Sequence, residues 1–267
     1  MTDSPPGPRG RTALITGASA GLGRVFAQKL AAEGYDIVLV ARDAERLRSL
    51  ADELALQYGV ETEAVSADLS RHEGMRGIAE RIAQMDRLDI LINNAGFGTK
   101  GTLATRPVAE QATMVELHVM APMLLTRAAL PRMIERGRGQ IVNVASVASF
   151  TYSAGNANYC ATKAYLRVFT EAVGLEVAGT GVQVQALCPG FTHTEFHDRA
   201  AIDKSTLPSW LWLDADRVID DSLAQLKANG PVVCIPGLRY RILVGLIKYA
   251  PEWLLRGLRG RYGKSRV

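Results

Sequence analysis

A short apolar run, TALIT at residues 12–16, passes through a glycine-bearing segment, GASAGLG at residues 17–23, into the helix-patterned stretch GRVFAQKLAAEG. Few arrangements restrict a fold as much. An apolar run of strand length that leads through glycines into a helix reads as a buried strand feeding a helix N-terminus. Glycines let the backbone turn sharply and come close to a bound group, and the helix start offers free N–H groups to an anion such as a pyrophosphate. The form here is Thr16-Gly17-x-x-x-Gly21-x-Gly23, so Gly17, Ser19, Ala20, Gly21, Leu22 and Gly23 are the candidate residues of a dinucleotide-binding turn.

The unit then repeats. YDIVLVA, ETEAVSADLS, LDILINNAG, GQIVNVAS, VQVQALCPG and PVVCIPG are strand-like runs separated by helical patterns with short connections. Such alternation predicts a doubly wound α/β fold with a mainly parallel, Rossmann-like sheet. At 267 residues, with 48% hydrophobic and 22% charged side chains, the chain can fill one full-sized core, so a single domain is expected over residues 11–237. The first ten residues, MTDSPPGPRG, have no apolar segment and read as a flexible leader. Cys160, Cys188 and Cys234 lack metal-like spacing and suit small buried residues in a reducing, cytoplasmic setting. No metal is expected: His193 and His197 have no third ligand nearby.

The second strand ends at Ala41 followed by Arg42, where an NAD-specific chain places an acid for the ribose 2′-hydroxyl. Without that acid a 2′-phosphate is not repelled, and Arg42 supplies donors for it, so NADP(H) is the expected cofactor. Asp43 is the expected cap of the following helix.

The stretch from Asn143 to Lys163 carries Ser146, Tyr159 and Lys163. On a helix, Tyr159 and Lys163 are an i,i+4 pair on one face, and an ammonium beside a phenol favours the phenolate. Ser146, on the loop before that helix, can hydrogen-bond a substrate oxygen. The three together can move a proton to or from a carbonyl or alcohol oxygen. Taken alone, Tyr-x-x-x-Lys also fits a half-buried tyrosine beside a solvated lysine; the serine and the glycine loop decide between the two.

With both present, the chain resembles the short-chain dehydrogenase/reductase family, in its single-domain branch, from about Arg11 to Ile235. The resemblance implies a sheet of about seven strands and hydride transfer between a nicotinamide and a carbonyl or secondary alcohol. In that role Tyr159 transfers the proton, Lys163 lowers its pKa and holds the ribose, and Ser146 fixes the oxygen. It implies that Asp68 and Leu69 flank the adenine and that Asn94, Ala95 and Gly96 floor the cofactor site. Pro189, Gly190, Phe191, Thr192 and Thr194 would meet the nicotinamide carboxamide. The family usually has an asparagine in the helix spanning residues 107–136, where it supports a proton relay; His118 stands at its place. Histidine could continue the relay or only brace the helix.

Residues 191–213 are the expected substrate lid, and Phe196, Leu207, Trp210, Leu211 and Trp212 suit an apolar, ketoacyl-like substrate. The alternative is a cofactor-binding regulator or scaffold without turnover. Residues 238–267 form a basic amphipathic tail, expected to be helical, with eight Lys/Arg and one acid, Glu252. Basic residues among Leu, Ile and Trp253 suit a peripheral contact with an anionic membrane or a partner subunit of a homo-oligomer. Nucleic acid is not expected, because no reader motif accompanies the charge.

Overall fold

The computed structural model describes residues 10–99, 101–196 and 208–249. Most of the leader, residues 197–207 of the lid with His197 and Leu207, and residues 250–267 of the tail lie outside the described residues.

The described residues form one seven-stranded sheet in the order β3-β2-β1-β4-β5-β6-β7. The strands are β1 Thr12–Thr16, β2 Asp36–Ala41, β3 Thr62–Ser66, β4 Leu88–Asn93, β5 Gly139–Val144, β6 Val182–Leu187 and β7 Val233–Cys234. Every pairing is parallel. The apolar runs of the inner strands reflect burial on both faces: in β1, Ala13 and Ile15 enter one core layer and Leu14 the other. Edge strand β3, TEAVS, carries only exposed and partly buried residues instead.

Helices cover both faces: α1 Gly21–Ala32, α2 Ala44–Tyr58, α3 His72–Gln84, α4 Val108–Val115, α5 Ala121–Glu135, α6 Ala157–Glu176, α7 Ala215–Lys227 and α8 Leu238–Tyr249. One layer joins Phe26 and Leu30 of α1, Leu47 and Leu54 of α2 and Val218 of α7. The other joins Ile78 of α3, Leu125 of α5 and Val173 of α6. The expected cap is present, with Asp43 accepting from Arg46 N at 3.0 Å, and Asp214 caps α7 in the same way, accepting from Asp216 N at 2.9 Å.

The long helix expected over residues 107–136 is continuous but changes its winding. A π-helical turn, Glu116–Met120, joins α4 to α5, with Pro122 in the first turn of α5. Proline has no N–H for the carbonyl four residues back and its ring crowds that carbonyl, so a locally wider turn accommodates it. His118 sits in this turn. The strand expected at PVVCIPG is only the two residues of β7.

The order of strands reverses between β1 and β4, and a crevice opens there beyond their C-terminal ends.

Candidate active site

The crevice is the mouth of a cleft of ≈ 1030 Å³. The glycine turn forms its first wall. Gly17 and Gly21 adopt φ of +63° and +55°, a region that side chains disfavour. Helix α1 starts behind them with no side-chain cap and no acid in its first turn, so its first N–H groups face the cleft unchallenged. Thr16 and Asn94 hold the turn. Thr16 Oγ1 accepts from Asn94 N (2.9 Å) and Ala95 N (3.1 Å), while Asn94 Nδ2 donates to Thr16 O (2.9 Å) and Gly17 O (3.2 Å).

Of the residues expected at the cofactor, Gly17, Ser19, Ala20, Gly21, Leu22, Arg42, Asp68, Leu69, Asn94, Ala95 and Gly96 all line this cleft. So do Pro189, Gly190, Phe191, Thr192 and Thr194. Gly23 does not. It lies one turn inside α1, where a Cβ would strike Gly17 O and come 2.6 Å from Asn94 Nδ2. Its role is close packing of the helix beneath the turn.

Arg42 is exposed at the rim, after β2. Burial raises the Asp68 carboxyl's pKa, but the Ser70 hydroxyl and N–H, with Arg42 and Arg71 nearby, hold it below its usual value. The two charges therefore sit on the same side of the cleft.

Ser146, Tyr159 and Lys163 also line the cleft. Ser146 follows β5 and caps a short 3₁₀ turn, its Oγ accepting from Ala148 N at 3.1 Å. With an acceptor lone pair thus engaged, its O–H can point to a ligand oxygen. Tyr159 and Lys163 rise from the first turns of α6, the ammonium 5.9 Å from the phenol ring centre. Lys163 is buried, its Nζ donates to Val144 O at 2.7 Å, and burial brings its pKa down to about 8. Nothing with a Cβ fits at Gly96 without crowding: the atom would lie 3.0 Å from His118 Nε2 and 3.7 Å from Lys163 Nζ.

His118 stands behind the cleft and not in it. Its imidazole is buried, and burial, with Lys163 nearby, keeps its pKa well below the usual histidine value. Nε2 accepts from Phe97 N at 3.0 Å. The ring proton therefore belongs on Nδ1, which lies 3.2 Å from Thr162 Oγ1, and Thr162 in turn donates to Tyr159 O at 3.0 Å. Of the two roles open to it in the sequence, this bonding is that of a brace: it pins the loop after Asn94 and the start of α6 together.

The remaining wall is apolar and draws on residues that the motifs do not mark. Phe97, Phe196, Trp210 and Leu211 line it, with Leu243, Val244 and Ile247 from α8. The tail therefore begins as part of the body, with Tyr240 and Val244 buried. The spacing Tyr240, Val244, Ile247 is an apolar helical face visible in the sequence, although the basic residues around it draw attention first.

Residues 11–204 match the short chain dehydrogenase family model. The chain is 34% identical over 188 residues to the 3-oxoacyl-(acyl-carrier-protein) reductase FabG of Aquifex aeolicus, covering 70% of this chain and 76% of that one. Among solved structures it is similar to a short-chain dehydrogenase from Sphingobium yanoikuyae in complex with NADPH (TM-score 0.82, 36% identity, 93% and 94% of the two chains). It is also similar to the bulky-bulky ketone specific alcohol dehydrogenase from Comamonas testosteroni (TM-score 0.78, 32% identity, 91% and 95%).

Proposed function

This chain belongs to the short-chain dehydrogenase family, and from that premise we propose that it is an NADP(H)-dependent oxidoreductase that interconverts an apolar ketone, bulky or ketoacyl in kind, and its secondary alcohol. The observation that carries the reading is the meeting of Ser146, Tyr159 and Lys163 in one cleft with a bare glycine turn under an uncapped helix. That turn fits a pyrophosphate, and Arg42 at the rim fits a 2′-phosphate. When bound, the nicotinamide supplies or accepts the hydride.

The chain's own groups handle the oxygen and its proton. Ser146 donates its hydroxyl to the substrate oxygen and fixes it. Tyr159 gives that oxygen a proton in reduction and takes it in oxidation. Lys163 stands beside the phenol as a buried ammonium at neutral pH and favours the phenolate. Thr192 and Thr194, beyond β6, line the cleft, and on this reading they meet the nicotinamide carboxamide.

The apolar wall supports an apolar substrate, because a ketone bearing bulky groups can cover Phe97, Phe196, Trp210 and Leu211 from water. Two of the three named relatives act, by their names, on a 3-oxoacyl chain and on bulky ketones. The working protein is a homo-oligomer on this reading. The exposed face of α6 supports it, with Tyr165, Val168, Ala172 and Leu175 in one stripe at helical spacing.

The tail makes a peripheral contact with an anionic membrane. Leu238, Ile242, Leu246 and Tyr249 of α8 are exposed on one side of the helix, beside Arg239, Arg241 and Lys248. Among the described residues no helix is long and apolar enough to cross a bilayer. Protein that stays in the supernatant with anionic vesicles at low salt would count against the membrane contact.

The deciding experiment for the enzyme is NADPH oxidation over a panel of bulky ketones and ketoacyl thioesters. Tyr159→Phe should lower turnover by about 10²–10⁴ while NADPH still binds. Wild-type protein that binds NADPH and reduces no carbonyl would instead favour a cofactor-binding regulator.

A further inference from the structure

The most buried side chain of helix α8, Tyr240, reaches the cleft. The Tyr240 ring lies over Gly190 so closely that a Cβ there would strike it. Its hydroxyl accepts from Phe191 N at 3.0 Å and donates to Leu211 O at 2.6 Å. These two groups belong to segments that already run side by side. Thr192 and Leu213 form a parallel bridge, with Leu213 N donating to Phe191 O (2.7 Å) and His193 N to Leu213 O (3.0 Å). In a parallel ladder the next rung would carry Phe191 N to Leu211 O. The phenol oxygen of Tyr240 stands in that rung, bonded to both ends. Arg239 reinforces the same contact, donating to Trp210 O and, at 3.2 Å, to Trp212 O.

We propose that Tyr240 is a positioning residue: by inserting its hydroxyl as a rung, it sets the spacing between the loop at Pro189–Thr194 and the apolar segment at Trp210–Leu211, and so fixes the width of the substrate side of the cleft. The same side chain docks α8, whose Leu243, Val244 and Ile247 complete that wall. Fit to the bulky part of the ketone is thus governed from α8, by a residue that faces neither reacting atom. The inference rests on the ketone-reductase reading above.

The test is Tyr240→Phe, which keeps the ring over Gly190 and removes the rung. Its kcat/KM for a bulky aryl ketone should fall relative to that for a small ketone by about fivefold or more, mainly through KM, at a temperature well below unfolding. Amide exchange should accelerate about tenfold or more in residues 189–194 and in residues 208–213 together. Gly190→Ala, which dislodges the ring with its hydroxyl intact, should reproduce the joint acceleration. A lowered Tm with an unchanged ketone ratio, or faster exchange confined to α8, overturns the proposal. Because exchange needs no turnover, a wild-type protein inactive on every ketone refutes the reductase reading while the rung is still tested.

Discussion

Replacing His118 separates two roles that one side chain could play, and the geometry sets the size of the effect. In His118→Ala, Phe97 N–H and Thr162 Oγ1 each lose a buried partner. Two net hydrogen bonds of about 1 kcal/mol each, plus the cost of a buried N–H left unpaired and a vacated ring site, amount to about 3–4 kcal/mol. For a domain of this size, about 2–4 °C is lost per kcal/mol, so Tm should drop by about 6–16 °C. His118→Asn places a donor where Nδ1 was but cannot reach Phe97 N, and should recover about half of that loss. The assays are thermal unfolding and ketone turnover on the folded protein. A brace predicts a large loss of Tm with turnover per folded molecule reduced only a few-fold. The acid limb has a defined sign. The folded imidazole has its pKa held well below 6.5, so the unfolded chain binds the extra proton first. Stability from this group is present above pH 6.5 and is lost as pH falls below it, and His118→Asn should lack that loss. Turnover that collapses with Tm unchanged would refute the brace and restore the relay.

Two further outcomes follow from the site. Arg42→Ala should weaken NADPH by about 1–3 kcal/mol and NADH far less, read by fluorescence titration; equal loss for both removes Arg42 from the 2′-phosphate. Lys163, with a pKa of about 8 in the fold against 10.5 ordinarily, loses its charge above about pH 8, so ketone reduction should decline there. Between these values the unfolded chain binds more protons than the folded one, so this group's contribution to stability rises with pH across the window. Activity falling while the fold strengthens is the combination to look for, and a Lys163→Arg protein whose activity falls at the same pH would exclude this origin.

Much of this was legible in the sequence for physical reasons. Parallel strands buried on both faces must be apolar throughout, so TALIT and LDILIN announce themselves. The turn at residues 17–21 needs glycine conformations that few other residues tolerate, and Ser146, Tyr159 and Lys163 stand close enough in sequence to be seen as a set. What hid was whatever depends on tertiary neighbours. Gly23 looks like part of the phosphate turn, but only the packed structure reveals Asn94 beneath it. His118 leaves relay and brace open in the sequence, and only the folded structure shows Phe97 N bonded to its Nε2. The tail reads as a surface strip because charge dominates its composition, yet Tyr240 is among the most buried side chains. Truncation at Leu238 would therefore cut into the cleft, and a test aimed at the membrane contact alone must instead substitute exposed α8 residues such as Ile242, Leu246 and Lys248.

The rung at Tyr240 also sets a timetable for the nascent chain. Thr16 meets Asn94 across 78 residues, and Tyr240 meets Phe191 across 49. Contacts of such separation form late, after the entropy of closing long loops has been overcome. During synthesis the glycine turn and the sheet up to β6 can assemble while α8 is still inside the ribosome. Until α8 emerges, the loop after β6 lacks its clamp and the apolar side of the cleft faces water. A chain stalled short of its C-terminus would thus hold the chemistry without the wall that shields it, which makes α8 the step at which folding becomes competence and the exposed cleft the point of exposure to aggregation.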